Sequence, residues 1–360
     1  MPDQDTATSH QRVRFGAGLR HEVAREMDAL GAKRALVLST PDQSGAALDL
    51  AAGLGARAAG ICSRATMHTP VDVTEDVLAH GRSVGADCYV AIGGGSTTGL
   101  SKALSYRTRH PQIIIPTTYA GSEATPILGQ TENGMKSTLS DPAVLPQVVL
   151  YDPELVVTLP RALSATSALN AMAHAIEALY ARDRSDETDA LALAGLEHFI
   201  AALPKVLADP ADLPAREATL RGAWACGAVL GRVGMALHHK LCHALGGAFN
   251  LPHAPTHAII LPHATAFNEA AVPDQLAPVA TMMGTDMAGT ALWAFAGSIG
   301  APRALKDLGL GEADLDRAVE IALKNPYWNP REVTPRGLRD LLQNAWVGHA
   351  PTYDQRTPHG

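Results

Sequence analysis

The chain has 360 residues, a hydrophobic share of 46% and a formal net charge of −7, a length that exceeds a typical single core and predicts two domains. Charges of both signs are interspersed without a basic stripe, which argues against nucleic acid as a partner. Cys62, Cys88, Cys226 and Cys242 form no CxxC pair and no uncharged apolar run reaches the roughly 18 residues of a membrane span, so disulfide frameworks and membrane anchors are set aside and a reducing cytoplasm fits.

After a polar stretch, Met1–His10, short apolar runs alternate with longer segments of helical composition. Ala35–Ser39, Cys88–Ile92, Ile113–Pro116 and Val148–Tyr151 read as buried strands. Helices are expected near His21–Leu30, Ser44–Leu54, Val73–Val84 and Thr98–Tyr106, each long enough for a crossover. This alternation predicts a parallel α/β sheet. Directly after the second strand comes Gly93-Gly94-Gly95-Ser96, leading into a helix. Glycines let backbone amides approach a pyrophosphate and a helix N-terminus adds partial positive charge, although a GGGS turn alone is more often a plain connection. Pro116-Thr117-Thr118-Tyr119-Ala120-Gly121-Ser122 follows another strand and offers further hydroxyls.

Beyond Asp152-Pro153 the pattern changes to long Ala/Leu-rich segments, near Ser164–Arg182, Thr188–Leu203, Pro214–Leu230 and Asp286–Ile299, so a helical domain is expected over 157–360 behind an α/β domain over 1–156. Six of the fifteen histidines fall within Leu237–His263. His239 and His243 are four apart in a segment suited to a helix, Met235–Leu245, and would share one face. Gly246-Gly247 is expected to end or loosen that helix, and Pro252 would present His253 from a turn. Asn170 and His174 repeat the four-residue spacing upstream. Lone histidines in such helices are usually structural, a reading that holds as well as a functional one for His257 and His263. Lys240 reads as a solvated helix residue, with a contact to a substrate carboxylate as the alternative.

The order Asn170-x-x-x-His174-Ala-Ile-Glu177, His239-x-x-x-His243-Ala-Leu-Gly and Pro252-His253 resembles the iron-containing alcohol dehydrogenase superfamily, in which one aspartate and three histidines hold a divalent metal. Its maleylacetate reductase branch is similar over GGGSTTGLSK, PTTYAGSE, SALNAMAHAIEALYARD, GMALHHKLCHALGGAFNLPH and NPYWNPR. The resemblance implies a Rossmann-like dinucleotide-binding domain with a parallel sheet, followed by an all-α domain. It further implies a homodimer and NAD(P)H-dependent reduction of the carbon–carbon double bond of 2-maleylacetate to 3-oxoadipate, in aromatic-compound degradation. Cofactor contacts carried over are Thr40, Gly93, Gly94, Gly95, Ser96, Thr117, Thr118, Ser122 and Lys136, whose bland alternative is an exposed loop charge. Thr40 stands where NAD-selective relatives place an acid, so both NADH and NADPH are expected. His243 is expected to donate the proton, His239 and His253 to polarise the substrate, and Asn170, His174, Tyr119 and Lys240 to bind a dicarboxylate.

Two departures carry weight. Gly99 replaces an aspartate usual in the first loop, and Asn170 replaces the aspartate ligand. A neutral amide is a weak ligand, so Asn170, His174, His239 and His253 read as a vestigial site and no metal is expected to be required. The alternatives are a metal-dependent alcohol dehydrogenase of the same superfamily, a lyase like dehydroquinate synthase, and a nucleotide-binding regulatory module. Net NADH consumption with maleylacetate would separate the first reading from the last two.

Overall fold

The computed structural model describes residues 11–352, and the polar stretch Met1–His10 lies outside them. The chain divides into two compact units, Met1–Leu159 with Ala211–Trp224, and Pro160–Pro210 with Ala225–Gly360.

The first unit carries strands β1 (Arg12–Phe15), β2 (Ala35–Leu38), β3 (Ala58–Cys62), β4 (Cys88–Gly93), β5 (Gln112–Pro116), β6 (Ile127–Glu132), β7 (Met135–Ser140) and β8 (Val148–Tyr151). Its helices are α1 (Val23–Ala29), α2 (Ser44–Leu54), α3 (Val71–Ser83) and α4 (Gly95–Thr108). Among the described residues six strands form a parallel sheet in the order β1-β8-β5-β4-β2-β3. β2, β4, β5 and β8 are buried along their whole length, as expected of continuous apolar runs covered on both faces. One face packs Val23, Met27, Leu50 and Leu54, and the other packs Val77, Leu78, Leu100 and Leu104. The anticipated strands and helices are all present. β1, β3 and the antiparallel hairpin β6–β7 are additions that the periodicity did not reveal.

The second unit is helical: α5 (Arg161–Ala178), α6 (Asp186–Ala208), α8 (Leu237–Phe249), α9 (His253–Glu269), α10 (Pro273–Met282), α11 (Ala288–Ser298), α12 (Leu315–Leu323) and α13 (Pro335–Val347), while α7 (Leu213–Leu230) supplies residues to both units. α5 is buried continuously from Ser164 to Ala178, the pattern of a central helix surrounded by others. α6 starts at a capping box in which Ser185 and Thr188 satisfy each other's amides. α9 and α11 approach closely at Gly289, where an added Cβ would lie 2.6 Å from that of Ala266. Glu269 caps the N-terminus of α11 by accepting from the amides of Ala288 and Gly289.

One expectation is corrected here. Gly246-Gly247 does not end α8, which continues to Phe249. Asn250 ends it by adopting a left-handed conformation (φ 52°), so the chain turns three residues later than the glycines suggested. Pro252 then caps α9 with His253 as its first residue, which places that imidazole on a helix rather than a turn.

Candidate active site

In the first unit the carboxyl ends of β2, β4 and β5 are tied together. The Thr117 amide donates to the Gly93 carbonyl (3.0 Å), Gln43 donates to the Thr117 hydroxyl (2.5 Å), and the Thr40 hydroxyl donates to Gln43 (3.5 Å). Gly94 is the N-cap of α4 and has no side chain to serve as a cap, so that terminus presents backbone amides suited to an anion. The glycine there is required by close approach, since a Cβ on Gly94 would stand 2.9 Å from the Thr118 methyl. Gly95 is exposed and Ser96 half-buried at the same terminus. Open α/β sheets bind ligands at this edge, and the predicted Gly93–Ser96 and Thr117–Ser122 loops meet there.

Lys102 holds the second loop from beneath. Its ammonium is fully buried and donates to the carbonyls of Ser122 (2.5 Å), Thr125 (2.8 Å) and Ile127 (2.9 Å) and to the Thr125 hydroxyl (3.0 Å). Burial pulls it down to about 7 against the opposing pull of Glu123. Tyr119 is fully buried and its hydroxyl accepts from Arg216 (2.9 Å), so it is committed within the unit. Lys136 pairs with Thr131 across the β6–β7 hairpin, and its side chain lies outside the described residues. At Gly99 a Cβ would meet the Thr69 hydroxyl at 2.3 Å, which is the local reason for glycine where the family favours aspartate.

In the second unit α5 presents Asn170, His174 and Glu177 at i, i+4 and i+7, one helical face. α8 presents His239 and His243, and α9 opens with His253. Asn170, His174 and His239 are buried, whereas His243 and His253 are exposed. Glu177 organises the group. Its two oxygens accept from the amides of Ala236 (2.8 Å) and His238 (2.7 Å) and from His239 Nδ1 (2.7 Å). The carboxylate thereby caps α8 and fixes the His239 tautomer, leaving Nε2 as the ligand-ready nitrogen.

That nitrogen, Asn170 Oδ1 and His174 Nδ1 are all buried without a hydrogen-bond partner among the described residues. The His174 and His239 rings stack at 5.1 Å, and His239 and His243 lie 6.1 Å apart. Burial, and then the nearby His239, His253 and His243, push His174 well below the ordinary imidazole range, so it stays neutral. His243 Nδ1 is 3.1 Å from the Tyr327 hydroxyl. Lys240 donates to the Lys324 carbonyl (2.8 Å) and lies over the Tyr327 ring, so its ammonium braces the loop as well as facing solvent. Asn329 and Asn268 exchange amide hydrogen bonds, and Arg331 donates to the Phe267 carbonyl, which pins the NPYWNPR segment, with its Pro326 and Pro330, to α9.

Sequence reasoning named Glu177 within the family motif but gave it no role, although its i+7 spacing from Asn170 on an Ala-rich helix was a readable sign. It also passed over Gln43, which joins two of the cofactor loops, and His238, for which no spacing argument was made. His257 is buried against His238, and His263 is buried with both ring nitrogens unpartnered among the described residues.

A parallel sheet with an uncapped glycine turn, and a helical unit converging an amide oxygen and imidazoles, match two family descriptions. Residues 10–153 match the model for iron-containing alcohol dehydrogenase and 164–346 that for the Fe-containing alcohol dehydrogenase family, C-terminal. The chain belongs to the iron-containing alcohol dehydrogenase family and is an oxidoreductase. Within the family it is similar to the maleylacetate reductase of Rhizobium sp. (strain MTP-10005), at 58% identity over 96% of this chain and 98% of the relative. The crystal structure of maleylacetate reductase from Agrobacterium tumefaciens matches with a TM-score of 0.93 and 55% identity, covering 98% of this chain and all of that one (100%). The iron-containing alcohol dehydrogenase structure from Corynebacterium glutamicum matches at 0.90 and 37% identity, over 95% and 97% of the two chains.

The expectation that no metal is required is therefore corrected, because membership of an iron-containing family implies a bound metal. The donor set fits one. Among the described residues Asn170 Oδ1 and His239 Nε2 are buried and unpartnered, and Glu177 sits behind His239 as the oriented carboxylate typical of metal-bound imidazole. The sequence argument weighed only the charge lost at Asn170 and missed the carboxylate that α5 supplies one shell further out.

Proposed function

We propose that the chain is an NAD(P)H-dependent maleylacetate reductase that reduces the double bond of 2-maleylacetate to give 3-oxoadipate. The observation that carries this reading is the 58% identity over 96% of the chain to an enzyme of that name; the stacking of His174 on His239 supports it.

The Gly93–Ser96 and Thr117–Ser122 loops would cradle the dinucleotide phosphates on backbone amides and hydroxyls, with Thr40 at the ribose. Thr40 offers no carboxylate to repel a 2′-phosphate, which supports use of both NADH and NADPH. Asn170, His174, His239 and His253 would hold the metal, whose chemistry when bound is Lewis-acid polarisation of the ketone oxygen. Conjugate reduction places a hydride on the alkene carbon β to the ketone and leaves an enolate, which then takes a proton at the α carbon. Glu177 holds His239 in one tautomer through the cycle. His243 is exposed and oriented by Tyr327, which suits it to deliver that proton. Lys240 and Arg331 lie in or beside the same loop contact and supply positive charge for a dicarboxylate. We further infer a cytoplasmic homodimer, for which the edge position of β1 in the sheet is support.

Nicotinamide absorbance with maleylacetate, set against simple alcohols, tests the reading in metal-loaded protein. Consumption of NADH with maleylacetate is expected. Turnover of alcohols alone would point to a general alcohol dehydrogenase of the same family.

A further inference from the structure

α8 carries two histidine-containing faces. His239 and His243 occupy the one already described, while His238 and Cys242, also four apart, lie on its neighbour and meet α9 at His257. His238 Nε2 is 3.0 Å from His257 Nδ1, and Cys242 Sγ is 3.7 Å from the same His238 nitrogen. The three ligand atoms lie within 4.8 Å of one another, and all three side chains are buried. None of them belongs to the set Asn170, His174, His239 and His253.

We propose that His238, Cys242 and His257 form a second metal site, built for a soft divalent cation, zinc above all. Zinc bound to imidazole at about 2.0 Å and thiolate at about 2.3 Å in tetrahedral geometry separates two nitrogens by roughly 3.3 Å and a nitrogen from a sulfur by roughly 3.6 Å. Two of the separations present, 3.0 Å and 3.7 Å, differ from those by a few tenths of an ångström, and the third lies within 4.8 Å. A thiolate with two imidazoles selects zinc over magnesium or calcium, which prefer oxygen ligands.

Charge balance points the same way. A divalent ion on one thiolate leaves a single positive charge. Glu177, fully buried, accepts from the His238 amide and so sets a carboxylate beside the site to offset it. Without a metal, burial and Glu177 hold the Cys242 thiol well above its ordinary range, so metal binding would release a proton. Two successive helices joined at Asn250 and Pro252 carry all three ligands. With three protein ligands the fourth position is left to water.

Cobalt(II) tests the assignment on the whole chain, because only a sulfur ligand gives an intense near-ultraviolet thiolate-to-cobalt band and the first set contains none. Chelator-stripped protein titrated with cobalt should develop that band, saturating at one equivalent assigned to this site, with a total of two equivalents bound. Cys242→Ser should abolish the band and lower zinc stoichiometry from two to one. His257→Asn should weaken binding at this site at least tenfold, while Asn170→Ala leaves the band intact. Circular dichroism identifies any variant that fails to fold, and the wild-type titration stands by itself in that case. Absence of the band in wild-type protein, or its survival in Cys242→Ser, overturns the proposal and leaves the three residues as a hydrogen-bonded core cluster.

Discussion

Replacing Glu177 by glutamine keeps the shape of the side chain and removes its charge. In the native protein one oxygen accepts from Ala236 N–H and His239 Nδ1–H and the other from His238 N–H, three bonds to a fully buried carboxylate. Glutamine has a single acceptor oxygen. If that oxygen takes the two-donor side, its NH2 group faces the His238 amide, donor against donor. Hydrogen bonds to charged groups contribute about 1.5–3 kcal/mol each, and a stranded buried donor costs about 1–3 kcal/mol. With partial relaxation of the α8 N-terminus, Glu177→Gln should destabilise the protein by about 2–4 kcal/mol. The second readout is metal affinity, since loss of the carboxylate behind a ligating imidazole typically costs about 10–100-fold. Urea unfolding and zinc titration against a chromophoric chelator measure the two quantities. A variant within about 0.5 kcal/mol of wild type, with unaltered metal affinity, would refute the assignment of Glu177 as organiser of the site.

Asn170→Asp should tighten divalent-metal binding by restoring an anionic oxygen ligand, and competition with a chelator reads this directly. Thr40→Asp should shift kcat/KM toward NADH through ribose hydrogen bonding and repulsion of a 2′-phosphate; an unchanged NADH/NADPH ratio would remove Thr40 from the ribose. Lys102→Met strands the carbonyls of Ser122, Thr125 and Ile127 while sparing the burial of an ammonium, so a net loss of about 2–4 kcal/mol in urea unfolding is expected. The same variant should raise KM for NADH more than it changes kcat. His263 is held down to about 4 by burial, below an unfolded value of about 6.5. The unfolded chain therefore takes up a proton first as pH falls. Stability present above about pH 6.5 should drop by about 3 kcal/mol between there and pH 4, and His263→Leu should flatten that part of the pH–stability profile.

The strands that were legible, such as Val148–Tyr151 and Cys88–Gly93, are buried on both faces, and their continuous apolar runs need no tertiary information. β1 reads RVRF and β3 reads AAGIC, an edge pair with arginines or small residues in half-buried positions that no alternation marks. The β6–β7 hairpin did carry a sign that was overlooked. Asn133-Gly134 takes φ values of 50° and 77°, a two-residue turn with both residues left-handed. The i,i+4 pairs lie on α5 and α8, whose His174 and His239 rings stack. What sequence could not supply was direction: which of two adjacent faces of α8 meets α5 and which meets α9. That geometry separates His239, on Glu177, from His238, on His257. The charge argument at Asn170 failed for a related reason, because it counted ligands without the group standing behind them.

Gly99 and Thr69 are coupled through one small space. Thr69 sits in a left-handed conformation (φ 46°) with its hydroxyl filling the space that a side chain at position 99 would need. Thr69 keeps its hydroxyl there only while position 99 carries no side chain. An aspartate at position 99 would displace the Thr69 hydroxyl, so accommodating the acid requires at least a new Thr69 rotamer. Substitutions at the two positions should therefore be non-additive: Thr69→Ala is expected to lessen the cost of a side chain at position 99.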